Sequence, residues 1–211
     1  MVRQDWPEVC RKVRAFCPEI PACYRGNPDG FLPQALACDP AFARQMTDYE
    51  MGRITTRAFI DFTREWFARG FGYTGGYDDM LEAHKAIIGA PIGSSVEIFR
   101  KLSRNLKIRL GMVSDNNQAH TMELFNRYGP IMNLVPRAHV VLSQEGGYDK
   151  TTPQIFSIAL ERLRSAGENT VMIDDSPYKL ESAAKAGMRT IRYAEGVDIG
   201  TELAKLGVEM G

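Results

Sequence analysis

Two adjacent aspartates, Asp174 and Asp175, follow the short apolar run Val171 to Ile173 and precede Ser176 and a helix-like stretch. A carboxylate pair fixed at a strand end is a suitable anchor for Mg2+, which needs hard oxygen ligands and usually takes only one or two carboxylates. Two further apolar runs end comparably. Ile108 to Val113 is followed by Ser114, Asp115, Asn116 and Asn117, and His139 to Ser143 by Gln144 and Glu145, with Lys150 a few residues on. A hydroxyl, a lysine and paired carboxylates together suit phosphoryl transfer. Lys150 would neutralise phosphate charge, and Ser114, with the backbone N–H groups of the turn it opens, would hydrogen-bond a phosphoryl oxygen. Asp115 and Asn116, beside it, are further candidates for binding substrate. Each group alone has a plainer reading: Ser114 as a helix cap, Lys150 as a solvated loop residue, Asp175 and Ser176 as caps of the next helix. Convergence of three strand ends on one rim favours chemistry over that set of coincidences, although the set contains no nucleophile.

The elements that must position these groups are legible as an alternation after residue 90. Helical patterns in "SSVEIFRKLSRN", "QAHTMELFNRYG", "TPQIFSIALERLRSAG" and "YKLESAAKAG" separate strands predicted at 108–113, 139–143, 170–173 and 189–193. Short apolar strands alternating with helices imply an α/β fold, a parallel sheet covered on both faces, and in such sheets ligands sit beyond the carboxyl ends of the strands. Before residue 90 the apolar spacing is helical, as in "WPEVCRKVRAF" and "TTRAFIDFTREWFARG", so that half reads as all helix, with "CYRGNPDGFLP" and "GFGYTGGY" as loops.

Composition bounds the partners. The 211 residues carry 26 Lys+Arg and 26 Asp+Glu, a formal net charge of zero, so no general attraction to nucleic acid or to an anionic membrane follows. There is no apolar run of membrane-spanning length and no signal-peptide pattern in "MVRQDWPEVC", which makes the cytoplasm the default location. Cys10, Cys17, Cys23 and Cys38 form no CxxC pair and read as reduced thiols, while His84, His120 and His139 are scattered.

"LGMVSDNNQAH", "VVLSQEGGYDKTTPQIFSIALERL" and "VMIDDSPYKLESAAKAGMRTIRY" resemble motifs II, III and IV of the haloacid dehalogenase-like (HAD) hydrolases, in order and at the usual spacing. The resemblance is nearest to the group with a small helical cap that contains sugar-phosphate phosphatases of the glucose-1-phosphate type, and "DYEMGRITTRAFIDFTREW" resembles that group's cap segment. It implies a Rossmann-like three-layer core over residues 91–211 and an N-terminal helical cap over residues 1–90. It also implies a magnesium-dependent phosphatase that acts on a small phosphorylated metabolite through an aspartyl-phosphate. By the same resemblance Ser114 is the phosphate-binding hydroxyl, Lys150 the motif III lysine, Asp175 the magnesium ligand and Asp174 a second acidic group acting directly or through water.

This chain departs from the pattern in three places. Asp115 stands where the family often has Asn, adding negative charge beside the expected phosphate, and Thr151 where it often has Pro. No apolar run is followed by the Asp-x-Asp that carries the family's nucleophile; the nearest string, "GNPDGF", reads as a turn. The resemblance therefore implies that the first, central strand is missing and that Met1 lies just downstream of it. An incomplete copy of a working phosphatase is one reading, a catalytically inactive relative with a binding role a second, and a flavodoxin-like or receiver-like module a third. A missing central strand would leave a gap between strands 108–113 and 170–173, because neighbouring strands lie about 4.8 Å apart. Three arrangements would fill or close it: the residues before Trp6 drawn into the slot, the two strands brought together, or a strand donated by another chain.

Overall fold

The helical spacing of the aromatic residues shapes the first of two units into which the chain divides, Met1–Ile92 with Asn117–Arg127. The computed structural model describes residues 2–17 and 39–209; "GNPDGF", Cys23 and Cys38 lie outside them. Helix α1 (Trp6–Arg14) starts where the Asp5 carboxylate accepts the Glu8 N–H, with Pro7 in its first turn. Helix α2 (Pro40–Glu50) is capped by Asp39, whose other oxygen accepts the Trp66 indole N–H at 2.7 Å. Helix α3 (Thr56–Phe71) is capped by Thr55 and stops at Gly72, whose φ of 63° is a left-handed conformation open to glycine. Helix α4 (Tyr77–Lys85) follows. Phe42, Tyr49, Phe59 and Phe67 are buried together, Tyr49 and Phe59 stacking with centroids 4.5 Å apart. This unit is not all helix: β1 (Val2–Gln4) pairs antiparallel with β2 (Ile88–Pro91). Strands of three and four residues are too short to show a two-residue period, and "IGAP" carries the Gly and Pro that argue against a strand.

The second unit is Gly93–Asn116 with Tyr128–Gly211. Helix α5 (Gly93–Arg104) leads to β3 (Met112–Ser114), much shorter than the predicted 108–113. Helix α6 (Gln118–Met132) loses helical geometry at Tyr128 (φ −126°, ψ 26°). Pro130 is the cause, since a mid-helix proline removes one hydrogen bond and its ring clashes with the carbonyl four residues back. Then follow β4 (Val140–Leu142), the single turn α7 (Ser143–Gly146), α8 (Pro153–Leu163), β5 (Val171–Asp174), α9 (Pro177–Lys185), β6 (Arg189–Arg192) and α10 (Ile199–Lys205). β3 runs parallel to β4 with Ser114 opposite Leu142, and β5 parallel to β6 with Asp174 opposite Arg192. On one side Val113 and Met172 pack on Ile155, Phe156 and Ala159 of α8 and Ala183 of α9. On the other, Leu110, Val171 and Ile173 pack with Leu102 of α5 and Ile199 and Leu203 of α10. Helices on both faces give the expected three layers.

Those helices, rather than backbone bonds, hold the two ladders in one unit. Among the described residues β3 has β4 as its ladder partner and β5 has β6, and no strand joins the pairs. The expectation that the residues before Trp6 enter this space is corrected, because they pair with β2, and direct pairing of β3 with β5 is likewise not found. Exposure follows the same line. β4 is buried throughout at 1%, whereas Met112, Val113 and Ser114 of β3 and Val171, Met172 and Ile173 of β5 are only partly buried. The free side of β5 follows from its ladder. Thr170 and Asp174 turn their carbonyls to Arg189 and Tyr193, and direction alternates along a strand, so Val171 and Ile173 point their N–H and C=O groups away from β6.

Candidate functional site

Each strand end is fixed by local bonds before it presents a functional group. After β3, the backbone of Asn116 is held from both sides by the buried Ser143 hydroxyl, which accepts its N–H at 3.0 Å and donates to its carbonyl at 3.2 Å. Ser114 is half-buried, its Oγ 3.5 Å from the Asp115 carbonyl oxygen. It is not the cap of α6; Asn117 is, accepting the His120 N–H at 3.0 Å. Lys150 sits in the turn before α8, where the Asp149 carboxylate accepts the Thr151 N–H at 2.9 Å and the Ser182 hydroxyl of α9 donates to the Thr151 carbonyl at 2.7 Å. At the end of β5 the Asp174 carboxylate accepts the Ser176 N–H at 2.9 Å, and Ser176 makes no side-chain cap bond to α9.

These loops bring four charges together. The Lys150 ammonium lies 2.5 Å from Asp174 Oδ2, both side chains nearly buried at 12% and 6% exposure. The Lys150 N–H donates to Asp115 Oδ1 at 2.8 Å, and the ammonium of Lys179, one turn into α9, lies 2.8 Å from Asp115 Oδ2. Burial alone would raise the Asp174 carboxyl, but the Lys150 charge and hydrogen bond, the Ser176 N–H and a bond to Asp175 outweigh it and hold it below the usual range. Burial likewise works against the Lys179 ammonium, yet the bond and charge of Asp115, with the charges of Asp174 and Asp175, raise its pKa. The predicted residues are thus placed as follows: Asp115, Lys150 and Asp174 are joined directly, Asp175 is exposed beside Asp174, and Ser114 and the buried Asn116 flank Asp115. Lys179 and Ser143 escaped the sequence reading. Neither had a signal in the sequence: Lys179 lies in the first turn of an amphipathic helix and its carboxylate partner Asp115 is sixty-four positions away, and Ser143 is one more residue at the end of an apolar strand.

An oxygen-only donor set suits magnesium, and Asp175 beside Asp174 could contribute to one. Both oxygens of Asp174 already accept from protein donors, so the exposed Asp175 is the better placed of the pair. Among the described residues no three His, Cys, Asp or Glu side chains gather as a ready metal cage.

A second polar cluster lies inside the first unit. His84 and His120 stack with ring centroids 4.1 Å apart. His120 Nδ1 lies 2.9 Å from the Asn117 amide nitrogen and Nε2 lies 3.0 Å from the His84 carbonyl oxygen, which together satisfy a neutral ring.

A three-layer α/β unit with its charged groups at the carboxyl ends of parallel strands is a ligand-binding arrangement. The profile of the haloacid dehalogenase-like hydrolases matches residues 42–187, well over half of the sequence, and the chain belongs to that family. It is similar to a HAD family enzyme of Bacteroides thetaiotaomicron solved in complex with magnesium and inorganic phosphate, at 18% identity and TM-score 0.69, over 96% of this chain and 93% of that one. A protein of Porphyromonas gingivalis, described as a predicted HAD-like family hydrolase, aligns at 20% identity and TM-score 0.69 over 99% of this chain and 93% of that one. The 2-haloacid dehalogenase of Pseudomonas syringae shares the fold at 15% identity and TM-score 0.54, over 94% of this chain and 86% of that one. Among curated proteins there is no match. Among the described residues no helix is long and apolar enough to cross a membrane.

Proposed function

We propose that this chain carries the phosphate-binding and metal-binding parts of a phosphohydrolase for a small phosphorylated metabolite. The observation that carries the reading is the junction of three strand ends, where Lys150 bonds Asp174 through its ammonium and Asp115 through its backbone N–H. In this reading the Lys150 ammonium, held in place by Asp174, offsets the charge on the transferred phosphoryl group, and the Ser114 hydroxyl donates to one of its oxygens. Asp115 and Asn116 shape the turn that receives it. Asp175, seconded by Asp174, would hold a magnesium ion, which when bound supplies further charge neutralisation. The Bacteroides relative solved with magnesium and inorganic phosphate supports that assignment. Residues 1–90 would form a helical cap and residues 91–211 the core.

Hydrolysis through an aspartyl-phosphate needs a carboxylate nucleophile facing Lys150, and among the described residues this reading already commits the strand-end aspartates, Asp115 to Lys179, Asp174 to Lys150 and Asp175 to magnesium. In this reading a further strand, paired along the side of β5 turned away from β6, carries that nucleophile. The 211-residue chain by itself is then expected to show no turnover of generic phosphate esters. Turnover by the purified chain that requires magnesium and is abolished by Asp175→Asn would contradict this placement of the nucleophile.

A further inference from the structure

We propose that Lys179 is a second phosphate ligand of this site, held on Asp115 until a phosphate dianion displaces the carboxylate. The inference deepens the phosphohydrolase reading and rests on it. The Asp115 carboxylate already occupies the position of a bound anion. One oxygen takes the Lys150 N–H at 2.8 Å and the other the Lys179 ammonium at 2.8 Å, two donors that phosphoryl oxygens could equally use. The two lysines of the site are not equivalent. Lys150 is 12% exposed and locked on an aspartate that is 6% exposed, whereas Lys179 is 30% exposed on a flexible stem and its partner Asp115 16%. Exchange of partners is therefore open to Lys179 and costly for Lys150. A phosphate monoester carries about −1.5 to −2 charges at neutral pH against −1 for a carboxylate, so it attracts the ammonium more strongly. Asp174 and Asp175 add to the field that keeps Lys179 charged. Asp115 then works as an internal competitor, one that only an anion of higher charge and matching size removes.

The plainer role, a strut between the β3 loop and α9, predicts different behaviour. A strut acts on stability, and its two halves fail in the same direction. A competitor and a ligand act on phosphate affinity in opposite directions. The test is calorimetric titration of the full chain with inorganic phosphate, with thermal melts to show that each variant is folded. Asp115→Asn, which keeps an oxygen for the Lys150 N–H, is expected to tighten binding about tenfold, and Lys179→Met to weaken it about tenfold. The loss from Lys179→Met is expected to be larger in the Asp115→Asn background, where the ammonium is already released, than in the parent chain. Equal losses in both backgrounds would reduce Lys179 to a distant charge and overturn the proposal. Phosphate binding by the parent chain that neither substitution alters would overturn it while leaving the phosphohydrolase reading standing. No binding by the parent chain and none by Asp115→Asn would remove both.

Discussion

Two partly buried polar clusters of this molecule solve the same problem in opposite ways. In the first unit His84 and His120 give up their charge. Burial drives His120 down to about 4, against the opposing pull of the His84 carbonyl and Glu123, and burial together with the neighbouring imidazole takes His84 well below its ordinary value. In the second unit Asp174 and Lys179 keep theirs, because each has a counter-charge within hydrogen-bond distance. Burial works against charge in both; the presence of an opposite charge decides the outcome. A neutral stacked pair suits a packed interior, whereas charges kept at a strand end can meet a charged ligand.

The strongest way to break this contrast is to remove one partner of the buried pair. Lys150→Met leaves Asp174 without its counter-charge and is expected to cost about 3–5 kcal/mol in denaturant unfolding, most of it recovered in Lys150→Met/Asp174→Leu. Unchanged stability of the single variant would show that Asp174 is already solvated. Acid is the next lever. The folded pKa of His120 lies near 4 against an unfolded value near 6.5, so between those values the unfolded chain binds more protons. The stability His120 contributes is whole above about pH 6.5 and falls by about 3 kcal/mol as pH drops to about 4. Asp174 behaves differently. Its depressed value puts its loss below its ordinary 3.8, as pH falls through the folded value. His120→Gln should therefore make the stability curve shallower between pH 6.5 and 4, with the lowered His84 keeping part of the slope, and leave the limb below it in place, a result that urea melts across pH would show. The smallest expected effect is at the surface: Thr55→Ala removes the cap bond to the Ala58 N–H of α3 and should lower stability by about 1 kcal/mol without altering phosphate binding.

The sequence carried the second unit better than the first. Four strands and the helices between them were legible because an alternation of apolar runs and helical stripes admits few other folds, and the strand ends then offered Ser114, Asp115, Lys150, Asp174 and Asp175 as candidates. The β1–β2 ribbon was hidden by its length, and its pairing joins residues more than eighty positions apart. His84 and His120 looked scattered because no local period links a residue at the end of α4 to one in α6, yet they stack. Lys179 was passed over for a related reason. A lysine on an amphipathic helix is read as solvated unless something shows a carboxylate within reach, and only the folded chain brings Asp115 to it.

The proposed function places a further strand, bearing the nucleophile, along the side of β5 turned away from β6. Amide hydrogen exchange on the 211-residue chain tests it most directly, because neighbouring residues of one strand report on its two sides. Met172, on the β6 side of β5, is expected to be protected, while Val171 and Ile173 exchange about a hundredfold faster or more. Protection of Val171 and Ile173 equal to that of Met172 would mean that the inner edge already has a partner, and would contradict the account.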